Sequence, residues 1–289
     1  MSRFAKVFGI GMFAAALIIG FIIGRSDFRR APAYKYAPAV KKIVPKVAVK
    51  KKIPAAAVSM ALPEISKKFK KPRVAIVMDD FGYNNNDMDD FFAAGYPITL
   101  SILPDQRYSA KIAEEAHSRG YEVILHLPME ASKNDVKEEP GTIRSSMSDS
   151  EIVSLLKSEI ASTPYIDGVS NHMGSKATED KRVMSIVAGE LKKNKMYFFD
   201  SLTSGRTVAR EASEAAGIRY GRRDIFLDLP NDPAYIEKQL LALRKIAFAK
   251  GAAIAVCHDR HNTIFILKKM MPIMADDGIE FVFLSELVK

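Results

Sequence analysis

Cysteine is nearly missing from this 289-residue chain: Cys257 stands alone, which excludes an internal disulfide framework and leaves the redox compartment unread. Acids are just as scarce at the beginning. Residues 1–72 hold only Asp27 and Glu64 against 16 Lys or Arg, a net of +14, whereas the remainder carries 27 bases against 32 acids, a net of −5. The overall charge of +9 and the pI of 9.4 therefore belong to a tail. A mildly acidic remainder, without a basic face interleaved with aromatics, argues against nucleic acid as a partner.

Two other absences bear on the beginning of the chain. Val7 to Ile23 is an uncharged run flanked by Arg3, Lys6, Arg25, Arg29 and Arg30, and no small-residue cleavage site follows it, since Gly24 leads into Arg25-Ser26-Asp27. Its 17 residues are short for a spanning helix and slightly long for a signal-peptide core, so an uncleaved inner-membrane anchor is expected over residues 1–30, with secretion as the outcome if it is cleaved. Gly9, Gly11 and Ala14 spell a dinucleotide fingerprint, but no strand precedes them, and that reading is discarded. Residues 31–72, rich in Ala, Pro, Lys and Val, bury little and repel one another, which predicts an extended tether.

From residue 73 to residue 289 a different pattern recurs: short apolar runs of strand type ending in Asp, His or Asn, separated by helical segments. The endings are Asp79-Asp80, His126, Asn171-His172, Asp200 and His258-Asp259. Runs near Pro97–Leu103, Arg223–Leu227 and Ile279–Leu284 bring the strands to seven or eight. Helix signals lie between them: a capping box at Ser148 and Glu151, and Asp232-Pro233 before a helix that stops at Gly251. This alternation predicts an α/β fold, a distorted (β/α) barrel whose functional groups gather at the C-terminal strand ends.

Three of the five histidines, His126, His172 and His258, stand at such ends. A hard carboxylate with two imidazoles is a common facial set for a catalytic divalent ion, with positions left for water and substrate. Of two adjacent acids at a strand break, one can bind the ion while the other takes a proton. A cysteine nucleophile is disfavoured, because Cys257 and His258 point to opposite faces of one strand.

Asp79-Asp80-Phe81-Gly82, His126-Leu127-Pro128-Met129-Glu130, Asn171-His172-Met173-Gly174-Ser175, Phe199-Asp200-Ser201, Arg223 to Asp228 and His258 resemble, in this order, the motifs of divergent polysaccharide deacetylases, distant relatives of NodB-type carbohydrate esterases. The resemblance implies a NodB-like barrel and metal-dependent removal of acyl groups from a cell-envelope or extracellular polysaccharide. It implies a divalent ion, most simply zinc, on Asp80, His126 and His172, Asp79 as general base, and His258 as general acid. Glu130, Asn171, Asp200, Ser201, Asp224 and Asp228 are implied to bind substrate or support these groups. Glu130 stays open as the third ligand, because it stands where NodB enzymes carry a second histidine. The catalytic domain is then expected outside the cytoplasm, in the periplasm. The competing expectation is a membrane-tethered glycan-binding or envelope-organising protein that kept the barrel and lost turnover.

Overall fold

A computed structural model describes residues 71–132 and 137–289. The expected anchor and all of the expected tether but Lys71 and Pro72 lie outside the described residues. Among the described residues, no helix is long and apolar enough to cross a membrane.

Nine strands form one parallel sheet: β1 Arg73–Phe81, β2 Thr99–Ile102, β3 Val123–Met129, β4 Ile166–Met173, β5 Tyr197–Asp200, β6 Tyr220–Arg222, β7 Ile225–Phe226, β8 Ala252–His258 and β9 Glu280–Phe281. The strand order is β6-β5-β4-β3-β2-β1-β8-β7, and β9 pairs with β1. Seven helices accompany them among the described residues: α1 Met88–Phe92, α2 Ser109–Ser118, α3 Asp149–Ser162, α4 Lys181–Lys193, α5 Ala209–Ala216, α6 Pro233–Lys250 and α7 His261–Asp276. Among the described residues the strand count is nine, where seven or eight were expected. The extra strand is β6, only Tyr220-Gly221-Arg222, too short and too polar to announce itself. Among the described residues no pairing joins β6 to β7, so the sheet curls without closing through strand hydrogen bonds. Tyr220 instead exchanges two backbone hydrogen bonds with Lys289, at 2.7 and 3.1 Å.

The strand alternation decides what each side chain can do. One set of alternate residues packs inward on the curled sheet: Ala75 and Val77 of β1, Ile124 of β3, Tyr197 and Phe199 of β5, and Ile254 and Val256 of β8 form one cluster. The complementary set faces the helices: Val74, Ile76, Met78, Leu100, Ala253, Ala255 and Cys257 pack against residues of α2, α6 and α7, while Leu125, Leu127, Val169 and Phe198 pack against α3, α4 and α5. With a side-chain period of two, the inner parity continues upward to Asp79, His126, His172 and His258. Cys257 falls on the outer parity, is fully buried, and burial pushes its thiol well above the ordinary range.

The helices begin and end on their expected signals. Ser148 and Glu151 form a reciprocal capping box at α3, Asp232 accepts from Tyr235 N ahead of Pro233 at α6, and Gly251 closes α6 at φ 83°. Among the buried groups that lack a hydrogen-bond partner in the described residues, one carboxyl group lies on a helix away from the strand ends. Glu159 of α3 is 2% exposed and its Oε2 has no hydrogen-bond partner among the described residues. Burial and the charge of Asp105 push its pKa from 4.5 up to about 7. Between those two values the folded chain keeps a proton that the unfolded chain has released, so stability falls as pH rises through that window. Glu159→Gln removes this fall. Its melting midpoint in mildly alkaline buffer is expected to exceed the parent's by roughly 3–8 °C, and the gap should shrink in acid.

Candidate metal and catalytic site

Asp79 and Asp80 follow the apolar run of β1, and simple alternation would send them to opposite faces. The strand prevents this. Its pairing with β2 shifts register between Met78 and Phe81, and Asp80 adopts φ 68°, a left-handed conformation that aspartate tolerates better than most residues. The break brings the Asp80 carboxylate to the inner side with His126 and His172. One donor atom from each of the three lies within 4.8 Å of the others.

Asp80 Oδ1 is 3.1 Å from His172 Nδ1 and 3.4 Å from His126 Nε2. Donor atoms held about 2.0–2.1 Å from one divalent ion stand roughly 2.8–3.4 Å from each other at octahedral to tetrahedral angles. The observed separations fall in that range. The two imidazoles meet nearly edge to face, with ring centroids 4.9 Å apart at 82°. His172 Nε2 is buried and lacks a hydrogen-bond partner among the described residues. Nδ1, not Nε2, is the nitrogen that faces Asp80, so it is the atom of this ring placed to hold an ion beside the carboxylate, and Nε2 is a separate, unfilled polar atom. Burial opposes ionisation of Asp80, but the hydrogen bonds and charges of His126 and His172 outweigh it and hold this carboxyl far below the usual range.

A short polar chain orients the deepest ligand. His126 Nδ1 and Ser170 Oγ share a hydrogen bond of 2.8 Å, and Ser170 Oγ meets Ser101 Oγ at 2.8 Å. With Nδ1 occupied by a hydroxyl, Nε2 is the nitrogen turned to Asp80. Neither serine was singled out by sequence. The signal was there: a small polar residue two positions before His172, and so on the same face of its strand.

Asp79 is 2% exposed, with Oδ1 3.6 Å from His126 Nδ1 and without a hydrogen-bond partner among the described residues. Burial, reinforced by the charge of Asp80 and opposed by His126 and His258, raises its pKa. A neighbouring strand presents His258, in register with Asp79. Asp228 is fully buried and commits both oxygens to this strand end: Oδ1 meets His258 Nδ1 at 2.8 Å, and Oδ2 accepts from His258 N and Thr263 Oγ1 at 2.8 and 2.9 Å. Burial disfavours the imidazolium, yet Asp228, Asp80 and Asp79 outweigh it and raise the His258 pKa. On one side the imidazole lies parallel to Phe226, 5.9 Å away at 10°, and the Arg223 guanidinium covers that ring at 3.6 Å.

The sequence profile of divergent polysaccharide deacetylases matches residues 76–288. The chain belongs to that family. It is 35% identical over 199 residues to the uncharacterized protein YibQ of Escherichia coli (strain K12), a match that covers 69% of this chain and 62% of YibQ. An uncharacterized protein of Haemophilus influenzae (strain ATCC 51907 / DSM 11121 / KW20 / Rd) is 32% identical over 212 residues, 73% of this chain and 75% of the relative. Among solved structures, an uncharacterized protein from Agrobacterium tumefaciens C58 has the same fold, with a TM-score of 0.72 at 23% identity over 76% of this chain and 90% of that one.

In this member of the divergent polysaccharide deacetylases, several polar residues at strand ends do structural work. Glu130 accepts from Ser145 N and Oγ at 2.8 and 2.6 Å and pairs with Lys176 at 2.8 Å, and it is not among the three converging ligands. Asn171 points to the outer side, donating to Met173 O and accepting from Ser201 N. Asp200 shares the outer parity of Phe198, and its carboxylate is taken up by Leu202 N, Thr207 Oγ1 and Tyr220 Oη. Asp224 binds Lys250 and Ile254 N, four residues short of the end of β8, and so does not reach His258. Asp200, Asn171 and Asp224 are thus engaged by neighbouring backbone and side chains and are not among the three converging ligands. Ser201 is buried, with no hydrogen-bond partner for its hydroxyl among the described residues.

Proposed function

We propose that this chain is a metal-dependent carbohydrate deacetylase that removes acetyl groups from an envelope or extracellular polysaccharide. The observation that carries the reading is the meeting of Asp80, His126 and His172 at one point, with Asp79 and His258 beside them on adjacent strands.

A divalent ion, zinc being the simplest choice for this donor set, would supply Lewis-acid polarisation of the acyl carbonyl and a more acidic water. The protein's own residues do the rest. Asp79 is buried, lacks a hydrogen-bond donor on Oδ1 and has a raised pKa, so it is placed to take a proton from the attacking water. His258 carries a proton on the nitrogen away from Asp228 and delivers it to the departing amine or alcohol. Asp228 fixes the tautomer and keeps the ring charged, and Phe226 holds the ring plane. The reading extends to location: Val7 to Ile23 serves as an inner-membrane anchor that leaves the barrel in the periplasm, and digestion of the barrel by protease added to spheroplasts is the expected outcome.

Acetate release from N-acetylated and O-acetylated glycans, measured with the full chain before and after chelation and zinc return, tests the proposal. Zinc bound without release from any acylated glycan sinks it. A finer expectation concerns pH. The general acid works only while protonated, so activity falls on the alkaline side as His258 loses its proton. Asp228→Asn removes the charge that holds that proton, so the alkaline limb moves to lower pH and the maximal rate drops by about tenfold or more.

A further inference from the structure

One exposed aromatic ring just past the strand break at Asp80 belongs neither to the core nor to the ligand cluster. Tyr83 stands three residues beyond Asp80 and is 46% exposed. It is nonetheless held: its hydroxyl donates to Glu139 Oε1 at 2.5 Å, and Glu139 Oε2 accepts from Gln106 Nε2 at 3.2 Å. The turn beneath it is equally determined. Gly82 has φ 130°, and a Cβ there would lie 2.8 Å from Ser109 Oγ and 3.0 Å from Gln106 Cβ. The Gly82 carbonyl accepts from Tyr108 N at 2.9 Å, so the chain leaves β1 in one direction. Three asparagines follow, with Asn84 and Asn86 exposed and Asn84 Oδ1 accepting from Asn86 N.

We propose that Tyr83, with Glu139 and Asn84 beside it, is the stacking platform for one pyranose ring of the glycan, adjacent to the unit whose acyl group lies at the ion site. The inference rests on the deacetylase reading for its substrate class and on the exposed, tethered ring close to Asp80 for its residue. A pyranose presents an apolar C–H face and a girdle of hydroxyls. A tyrosine face takes the first, and carboxylate and amide groups take the second. A ring already tethered through its hydroxyl loses little rotamer freedom when a ligand lands on it. A protein partner fits this surface less well, because the neighbours of the ring are amides and carboxylates rather than a contiguous apolar patch.

The test is calorimetric binding of chitotetraose to the zinc-loaded full chain carrying Asp79→Asn, so that turnover does not consume the ligand. Adding Tyr83→Ala is expected to raise Kd about tenfold, and Tyr83→Phe, which keeps the ring and loses the tether, about two- to threefold. Zinc content and melting midpoint of each variant show that the fold is kept. Binding of the single sugar N-acetylglucosamine should not respond to Tyr83→Ala; an equal loss there puts the ring under the processed unit and overturns the adjacent-unit assignment. An unchanged Kd for chitotetraose overturns the platform, as does absence of chitotetraose binding by the Asp79→Asn parent. Acetate release by the otherwise unaltered chain separates the two readings. Tyrosine-dependent binding without release leaves the platform and removes the enzyme, whereas release with a Tyr83-independent Kd does the reverse.

Discussion

His172→Ala is expected to abolish stoichiometric zinc binding and to lower glycan deacetylation on the order of a thousandfold, because the ion supplies several kcal/mol of charge stabilisation in the transition state. The choice of residue matters. Glu130 was the rival third ligand, yet it accepts three hydrogen bonds from Ser145 and Lys176, while His172 turns Nδ1 to Asp80 Oδ1 at 3.1 Å within the converging cluster. Glu130→Gln is therefore expected to keep its zinc and to lose stability instead, by about 1–2 kcal/mol, since it weakens the tie between the end of β3 and the segments around Ser145 and Lys176. Metal analysis of the two purified variants decides the matter. Zinc retained by His172→Ala and lost by Glu130→Gln would reverse the ligand assignment.

The second large effect is at Asp79. Asp79→Asn keeps the shape of the side chain and removes its ability to accept a proton, so deacetylation should fall by roughly two to four orders of magnitude with zinc content unchanged. The same substitution is expected to raise the melting midpoint. The carboxylate is buried, lies beside Asp80 and leaves Oδ1 without a donor, so a neutral amide costs the fold less than the charge it replaces. Opposite signs for activity and stability are what a buried catalytic base predicts. Loss of zinc together with activity would instead make Asp79 a ligand.

Much of the architecture was legible because parallel strands covered by helices must be apolar along their length, and runs such as Val74 to Met78 and Ala252 to Cys257 leave no other explanation. Short edge strands escape this logic, which is why Tyr220 to Arg222 went unseen. The site was legible to the extent that polar residues mark strand ends. What a single sequence does not tell is the face to which each one turns. Asp79 and Asp200 both close an apolar run, and one enters the lumen while the other braces α5 through Thr207. Asp80 is the instructive case. Its parity is wrong for a ligand, and only the register shift and the left-handed backbone turn it inward. Asp228 and Asp224 are four residues apart with the same side chain, and only the first reaches the end of β8.

The in–out alternation of β8 has a consequence for how such a protein can change its length. Removing one residue from this strand would carry His258 into the place held by Cys257, burying an imidazole among methionines and aliphatic side chains and offering Asp259 to the cleft in its stead. Insertions and deletions compatible with proton transfer are therefore confined to the connections between strands, and the scaffold admits new lengths only where no ladder has to be kept in step.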